Sequence, residues 1–161
     1  MKKQILSLTR GAMFAALYVL LTLLSSLFGL ASGNIQVRLS EALLILIILY
    51  PEAAVGIPIG CLISNLFFGL MPWDLLFGTL ATVIGCVGAL ALRKTGNPLL
   101  VPIPNVLANA LIVPAVIILS MGGEGTWVSF PFFALTVGIG EIIACFGVGW
   151  FVYIAVKKIR H

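Results

Sequence analysis

Charged side chains make up only 9% of this 161-residue chain, while 61% of it is hydrophobic. A soluble domain carries roughly 25% charged residues and uses them to coat its surface, so a water-soluble globular class is excluded. Histidine occurs once, as His161. With no internal histidine there is no material for a Ser-His triad or a His-built metal site, and no cofactor is expected. Cysteine is nearly as sparse. Cys61, Cys86 and Cys145 stand far apart, each inside an apolar run, where they read as small core residues rather than a redox or metal set. The alternating strands of an outer-membrane barrel are missing too. Little remains for catalysis, and the chain is read as a non-enzyme.

Apolar sequence is what the chain has in abundance, in runs that approach or exceed the ~18 to 20 residues needed to cross a bilayer. The predicted fold class is an all-α integral membrane protein with six transmembrane helices, forming one domain over residues 1–161. The spans fall at about 4–30, 38–50, 53–70, 74–92, 99–121 and 130–156. The first opens on a basic stretch like a secretory signal. Its apolar core nevertheless continues to about Leu30 without a small-x-small cleavage site, so a retained helix is expected. The second is short: as an α-helix, Leu39 to Tyr50 covers only ~18 Å of a ~30 Å hydrocarbon core.

The net charge of +4 is localised. Lys2, Lys3 and Arg10 lie at the front, Arg93 and Lys94 in the middle, and Lys157, Lys158 and Arg160 at the end. Such clusters anchor helices in a membrane and are not a nucleic-acid footprint. Fusing the second and third spans through Pro51 would leave one basic end outside. Six crossings put every cluster, and both termini, on the cytoplasmic side.

Several polar groups sit inside these runs, and a carboxylate there costs several kcal/mol unless it faces a bundle interior or a ligand. Glu41, in QVRLSEALLILIIL, is expected at the outer end of the second helix. Arg38, three residues earlier, either pairs with it or lines a site. Asp74, after Pro72 and Trp73, is either a first-turn acid complementing the helix dipole or a site residue. Asn65, Asn105 and Asn109 either lock helices together or meet a ligand. Asn109 falls near mid-membrane. Asn105, nearer the cytoplasm and beside prolines, is the weaker candidate. Glu141, in LTVGIGEIIACFGVG, has no basic residue within a helical turn, and Gly138 and Gly140 leave space beside it. It is expected roughly 15 Å deep from the outer face.

Most of these groups should converge on one outward-facing cavity. Trp73, Trp127, Phe130 and Phe132 gather at the outer interface, as an aromatic belt or as platforms for a flat ligand. On the first helix, Gly11, Ala12, Ala15 and Ala16 make a small-residue face. Ala12 and Ala16, four apart, allow close approach by another helix, and Gly56 and Gly60 repeat the spacing in the third span.

The segments NIQVRLSEALLIL, GIPIGCLISNLF, WDLLFGTLATVIG, NVLANALIVP and VGIGEIIACFGVG, in that order and spacing, resemble the queuosine-precursor transporter family. Its members are substrate-binding (S) components of energy-coupling factor (ECF) transporters. The resemblance covers most of the chain. It implies a six-helix bundle with an outward pocket in the bacterial cytoplasmic membrane. It also implies partners: a transmembrane coupling protein and two cytoplasmic ATPase subunits. The coupling protein would dock on Ala12 and Ala16. ATP hydrolysis would belong to the partners, in keeping with the lack of a GxxxxGK[ST] phosphate loop here.

The implied substrates are 7-deazaguanine compounds, queuine or its aminomethyl and cyano precursors. A guanine-like edge sets a ring N–H beside an exocyclic amine, which one carboxylate accepts in bidentate fashion. On this basis Glu141 is expected to read the base edge and Glu41 or Asp74 to meet an amine on the 7-substituent, or the reverse. Asn65 or Asn109 would donate to the ring carbonyl. Arg38 would orient Glu41, and Trp127 would stack on the ring. An S component for a flavin, thiamine or biotin, and a stand-alone facilitator, are the competing readings.

Overall fold

The computed structural model describes residues 1–30, 37–68, 72–121 and 127–160. Among these residues the chain is helical, with no strand. Helix α1 (Lys2–Leu27) buries Phe14, Ala15, Tyr18, Thr22 and Ser25, a stripe recurring every three or four residues. Its other faces leave Leu8, Leu17 and Leu20 exposed. Large apolar side chains are exposed in this way on every long helix, which suits lipid as solvent and not water.

The second apolar segment is a 3₁₀ helix, Leu39–Ile48, every residue of which from Ser40 to Ile47 is buried. Its sequence is apolar on all sides apart from Ser40 and Glu41, so it has no face to offer water and becomes the central rod of the bundle. Ten residues of 3₁₀ helix reach ~20 Å at about 2.0 Å per residue, further than the same residues wound as α-helix. Runs of this length are uncommon and need outside support. Here both ends are held. The Leu39 amide donates to Ser25 Oγ at 2.9 Å, and Arg93 Nε donates to the Ile48 carbonyl at 3.2 Å.

Helix α2 (Ala53–Phe68) packs closely on α1. A Cβ on Gly56 would fall 2.2 Å from the Gly11 carbonyl oxygen, so only hydrogen fits there. A π-helical turn (Asp74–Gly78) leads into α3 (Thr79–Arg93), and α4 (Ile103–Ser120) crosses α3 at Gly85 and Gly88. The prolines before α4 do not mark the edge of the bundle. Val101 is wholly buried and Pro102 nearly so, and α4 therefore starts inside the fold. A short 3₁₀ turn (Trp127–Ser129) leads into α5 (Phe130–Ile142). A π-helical segment (Ile143–Val148) and α6 (Gly149–Arg160) continue from it.

Four stretches among the described residues are long and apolar enough to cross a membrane: Lys2–Leu27, Leu75–Arg93, Ile103–Ser120 and Trp127–Ile159. Leu39–Ile48 and Ala53–Phe68 are apolar but shorter. Each expected span overlaps one of these six helical stretches, of which four have the length and apolar composition of a membrane crossing. Residues 31–36, 69–71 and 122–126, which connect these helices, lie outside the described residues.

Candidate binding site in the bundle interior

The 3₁₀ helix carries Glu41 into the middle of the bundle, where the residue is 1% exposed. Tyr18 of α1 donates its hydroxyl to Glu41 Oε1. Asn105, in the first turn of α4, donates its amide to Glu41 Oε2 at 2.9 Å and to Glu141 Oε2 at 3.1 Å. Both carboxylates thus share one nitrogen, and they stand at one level of the bundle although 100 residues separate them in sequence. In this orientation the amide presents its NH₂ to both acids, one donor toward each.

Local structure explains why these side chains meet. The hydroxyls of Thr22 and Ser40 are hydrogen-bonded at 3.0 Å, pinning the start of the 3₁₀ helix to α1 next to Glu41. Glu141 is near the end of α5, just before the backbone widens into the π-helical segment. Cys145 in that segment points its thiol at the Glu41 carbonyl (3.5 Å) and at Glu141 Oε2 (3.8 Å). The Asn105 carbonyl Oδ1 is buried with no hydrogen-bond partner among the described residues. It faces α3, where a Cβ on Gly85 would lie 2.2 Å from it.

The expected site residues are distributed unevenly around this pair. Glu41 lies in the first turn of its helix, as expected, and its contact with Asn105 brings it to the level of Glu141. Among the described residues Arg38 forms no ion pair with Glu41, the simpler reading of their spacing. Arg38 is half-buried at the head of the 3₁₀ helix. Asn109 lies one turn beyond Asn105, buried, with its amide donated to the Asn105 backbone carbonyl at 3.2 Å. Asn65 of α2 reaches Thr79 Oγ1 at 3.3 Å and Cys61 Sγ at 3.5 Å, joining α2 to α3. Trp127 is 51% exposed at the head of α5. The backbone of Asp74 opens the π-helical turn, but its side chain lies outside the described residues.

Two residues carry more of the site than the sequence suggested. Asn105, the weaker candidate by sequence for its position beside prolines, is the group that joins the two acids. Tyr18 stands in an apolar run, where a tyrosine reads as core. Its position was signalled, in retrospect, by Gly60: a Cβ there would fall 2.7 Å from the Tyr18 Cβ, so the two helices touch at that point.

Chemically, the interior offers two carboxylates side by side, an acceptor set suited to a ligand edge with adjacent N–H donors. Ala12 and Ala16 occupy a different place. Both are exposed, on a groove of about 810 Å³ between α1 and α2 that also takes in Gly11, Ala15, Gly56 and Ile59. An Arg10–Glu52 ion pair (3.5 Å) ties α1 to the turn just before α2.

The model of the family described as QueT transporter matches residues 8–158. A curated protein of Lactococcus lactis subsp. cremoris, named queuosine precursor transporter QueT, is 37% identical over 73 residues. The match covers 45% of this chain and 43% of that relative, so this chain spans less than half of the relative's length. No solved structure matches the chain.

Proposed function

Since the chain belongs to the QueT transporter family, we propose that it captures 7-deazaguanine queuosine precursors as the membrane-embedded S component of an ECF-type importer. In this reading six helices cross the bacterial cytoplasmic membrane with both termini inside. Substrate enters from the outer face, and a coupling protein with two ATPase subunits supplies the energy. The relative's name is one support. The observation that carries the reading is the Asn105-bridged pair Glu41 and Glu141, a concentrated set of acceptors in an apolar bundle. Buried acids of this kind are retained in membrane helices where they bind or relay something.

The α1–α2 groove supports the partner half of the reading. Small residues at 12 and 16 leave a helix-wide trough, and packing in lipid depends on such close approach. Calorimetry on the purified full chain in detergent tests the substrate half. Queuine or 7-aminomethyl-7-deazaguanine should bind, and Glu141→Gln should weaken binding by about tenfold or more, the loss of one charge-assisted hydrogen bond. An affinity within twofold of the unmodified protein removes Glu141 from the site. Riboflavin, thiamine and biotin serve as competing ligands in the same titration.

A further inference from the structure

The two carboxylates are too close together to hold opposite ends of one 7-deazaguanine. One amide nitrogen reaches both, so Glu41 Oε2 and Glu141 Oε2 are no farther apart than 2.9 Å and 3.1 Å laid end to end. In a 7-deazaguanine the 2-amino group and the 7-substituent project from opposite ends of the fused ring. A division of labour between base edge and 7-amine therefore does not fit this geometry.

What does fit is already in place. The Asn105 NH₂ is planar, conjugated and has two hydrogens, one for each carboxylate. The exocyclic 2-amino group of a guanine-type ring has the same shape and the same two donors. Beside it such a ring carries an N–H, and among the described residues no hydrogen bond is made to Glu141 Oε1, while Glu41 Oε1 is taken by Tyr18. Glu141 also keeps more exposure than its partner, 5% against 1%.

Asn105 holds its post at a disadvantage. Its Oδ1 is buried without a partner among the described residues, a loss comparable to a missing hydrogen bond, so a ligand that frees the side chain to turn also relieves that orphaned acceptor.

Resting on the functional reading above, we propose that Glu41 and Glu141 act as one acceptor for the ligand's 2-amino group, in the position now filled by the Asn105 amide. The adjoining ring N–H goes to Glu141 Oε1, and the 7-substituent points away from both acids. The site then selects a 2-amino-4-oxo pyrimidine ring and tolerates variation at position 7.

The test is a calorimetric series on the full chain in detergent with 7-deazaguanine, 7-cyano-7-deazaguanine, 7-aminomethyl-7-deazaguanine and 7-deazahypoxanthine, which lacks the 2-amino group. The three guanine-type ligands should agree within about fivefold, and 7-deazahypoxanthine should bind about 30-fold more weakly or worse, because two buried acceptors lose their donor. Binding of 7-deazahypoxanthine within threefold of 7-deazaguanine overturns the inference and leaves the transport reading standing. So does a preference of about 30-fold or more for the aminomethyl over the cyano compound, since an ammonium would then be meeting the acids. If none of the four binds, the functional reading fails and this inference fails with it.

Discussion

Gly60 of α2 and Tyr18 of α1 are in such close contact that a Cβ on the glycine would lie 2.7 Å from the tyrosine Cβ. That contact sets where α1 sits, and with it the hydroxyl that Tyr18 gives to Glu41. A helix-packing detail on one side of the bundle therefore fixes the hydrogen bonding of a carboxylate at its centre. Gly60→Ala should push α1 off α2 and destabilise the protein by about 1–3 kcal/mol, as overpacking does. Gly147→Ala, where an added methyl meets nothing within 4 Å, is the control and should leave the thermal midpoint in detergent unmoved. Equal midpoints for the two variants would show that the α1–α2 contact is not tight.

Tyr18→Phe keeps the ring and removes only the donor to Glu41 Oε1. Leaving a buried acceptor unpartnered costs about 1–3 kcal/mol, and more when it is charged. Thermal unfolding should register that loss while circular dichroism keeps its helical signature. An unchanged midpoint would mean the hydroxyl does not serve Glu41.

At Gly85 the added atom of an alanine would lie 2.2 Å from Asn105 Oδ1 and 2.7 Å from its Cα. The second distance is to backbone, so turning the Asn105 side chain cannot relieve the clash, and α3 and α4 must separate. Gly85→Ala should therefore abolish detectable ligand binding as well as lower the unfolding temperature. Gly138→Ala, with its nearest neighbour at 3.6 Å, should keep binding within about twofold. Normal binding by Gly85→Ala would place Asn105 outside the site.

Ala16 tests the groove independently of the interior. Ala16→Trp fills the trough between α1 and α2, on the exposed side of α1 away from the buried stripe that carries Tyr18. Ligand affinity should stay within about twofold, because the bundle core is untouched. Co-purification with the coupling protein and uptake should both be lost. Intact assembly would remove this face from the partner interface.

Much of the fold was legible because its causes are local. Charge scarcity, long apolar runs and clustered Lys and Arg fix the class of protein through solvation alone. Gly56 and Gly60 announced a close helix contact, and the structure places that contact on α1. Glu41 and Glu141 stood out as acids among apolar neighbours, and they meet. The 3₁₀ form of the second span was not legible, for the sequence showed only a segment too short as an α-helix. Its winding depends on Ser25 and Arg93, which hold its ends from other helices.

The sequence by itself determined which groups would be expensive to bury, since desolvation is a property of a residue and its immediate neighbours. Which groups would offset that expense was decided only by the tertiary structure. Asn105 meets Glu41 across 64 residues and Tyr18 meets it across 23, separations at which no periodicity or spacing rule operates. Prolines beside Asn105 mark the start of α4, but only the packing shows that this start, at the buried turn of Val101 and Pro102, lies inside the bundle and delivers the amide to the acids. Hydrogen bonds between distant segments form only once packing has fixed both partners, so the core of the site became visible only in three dimensions.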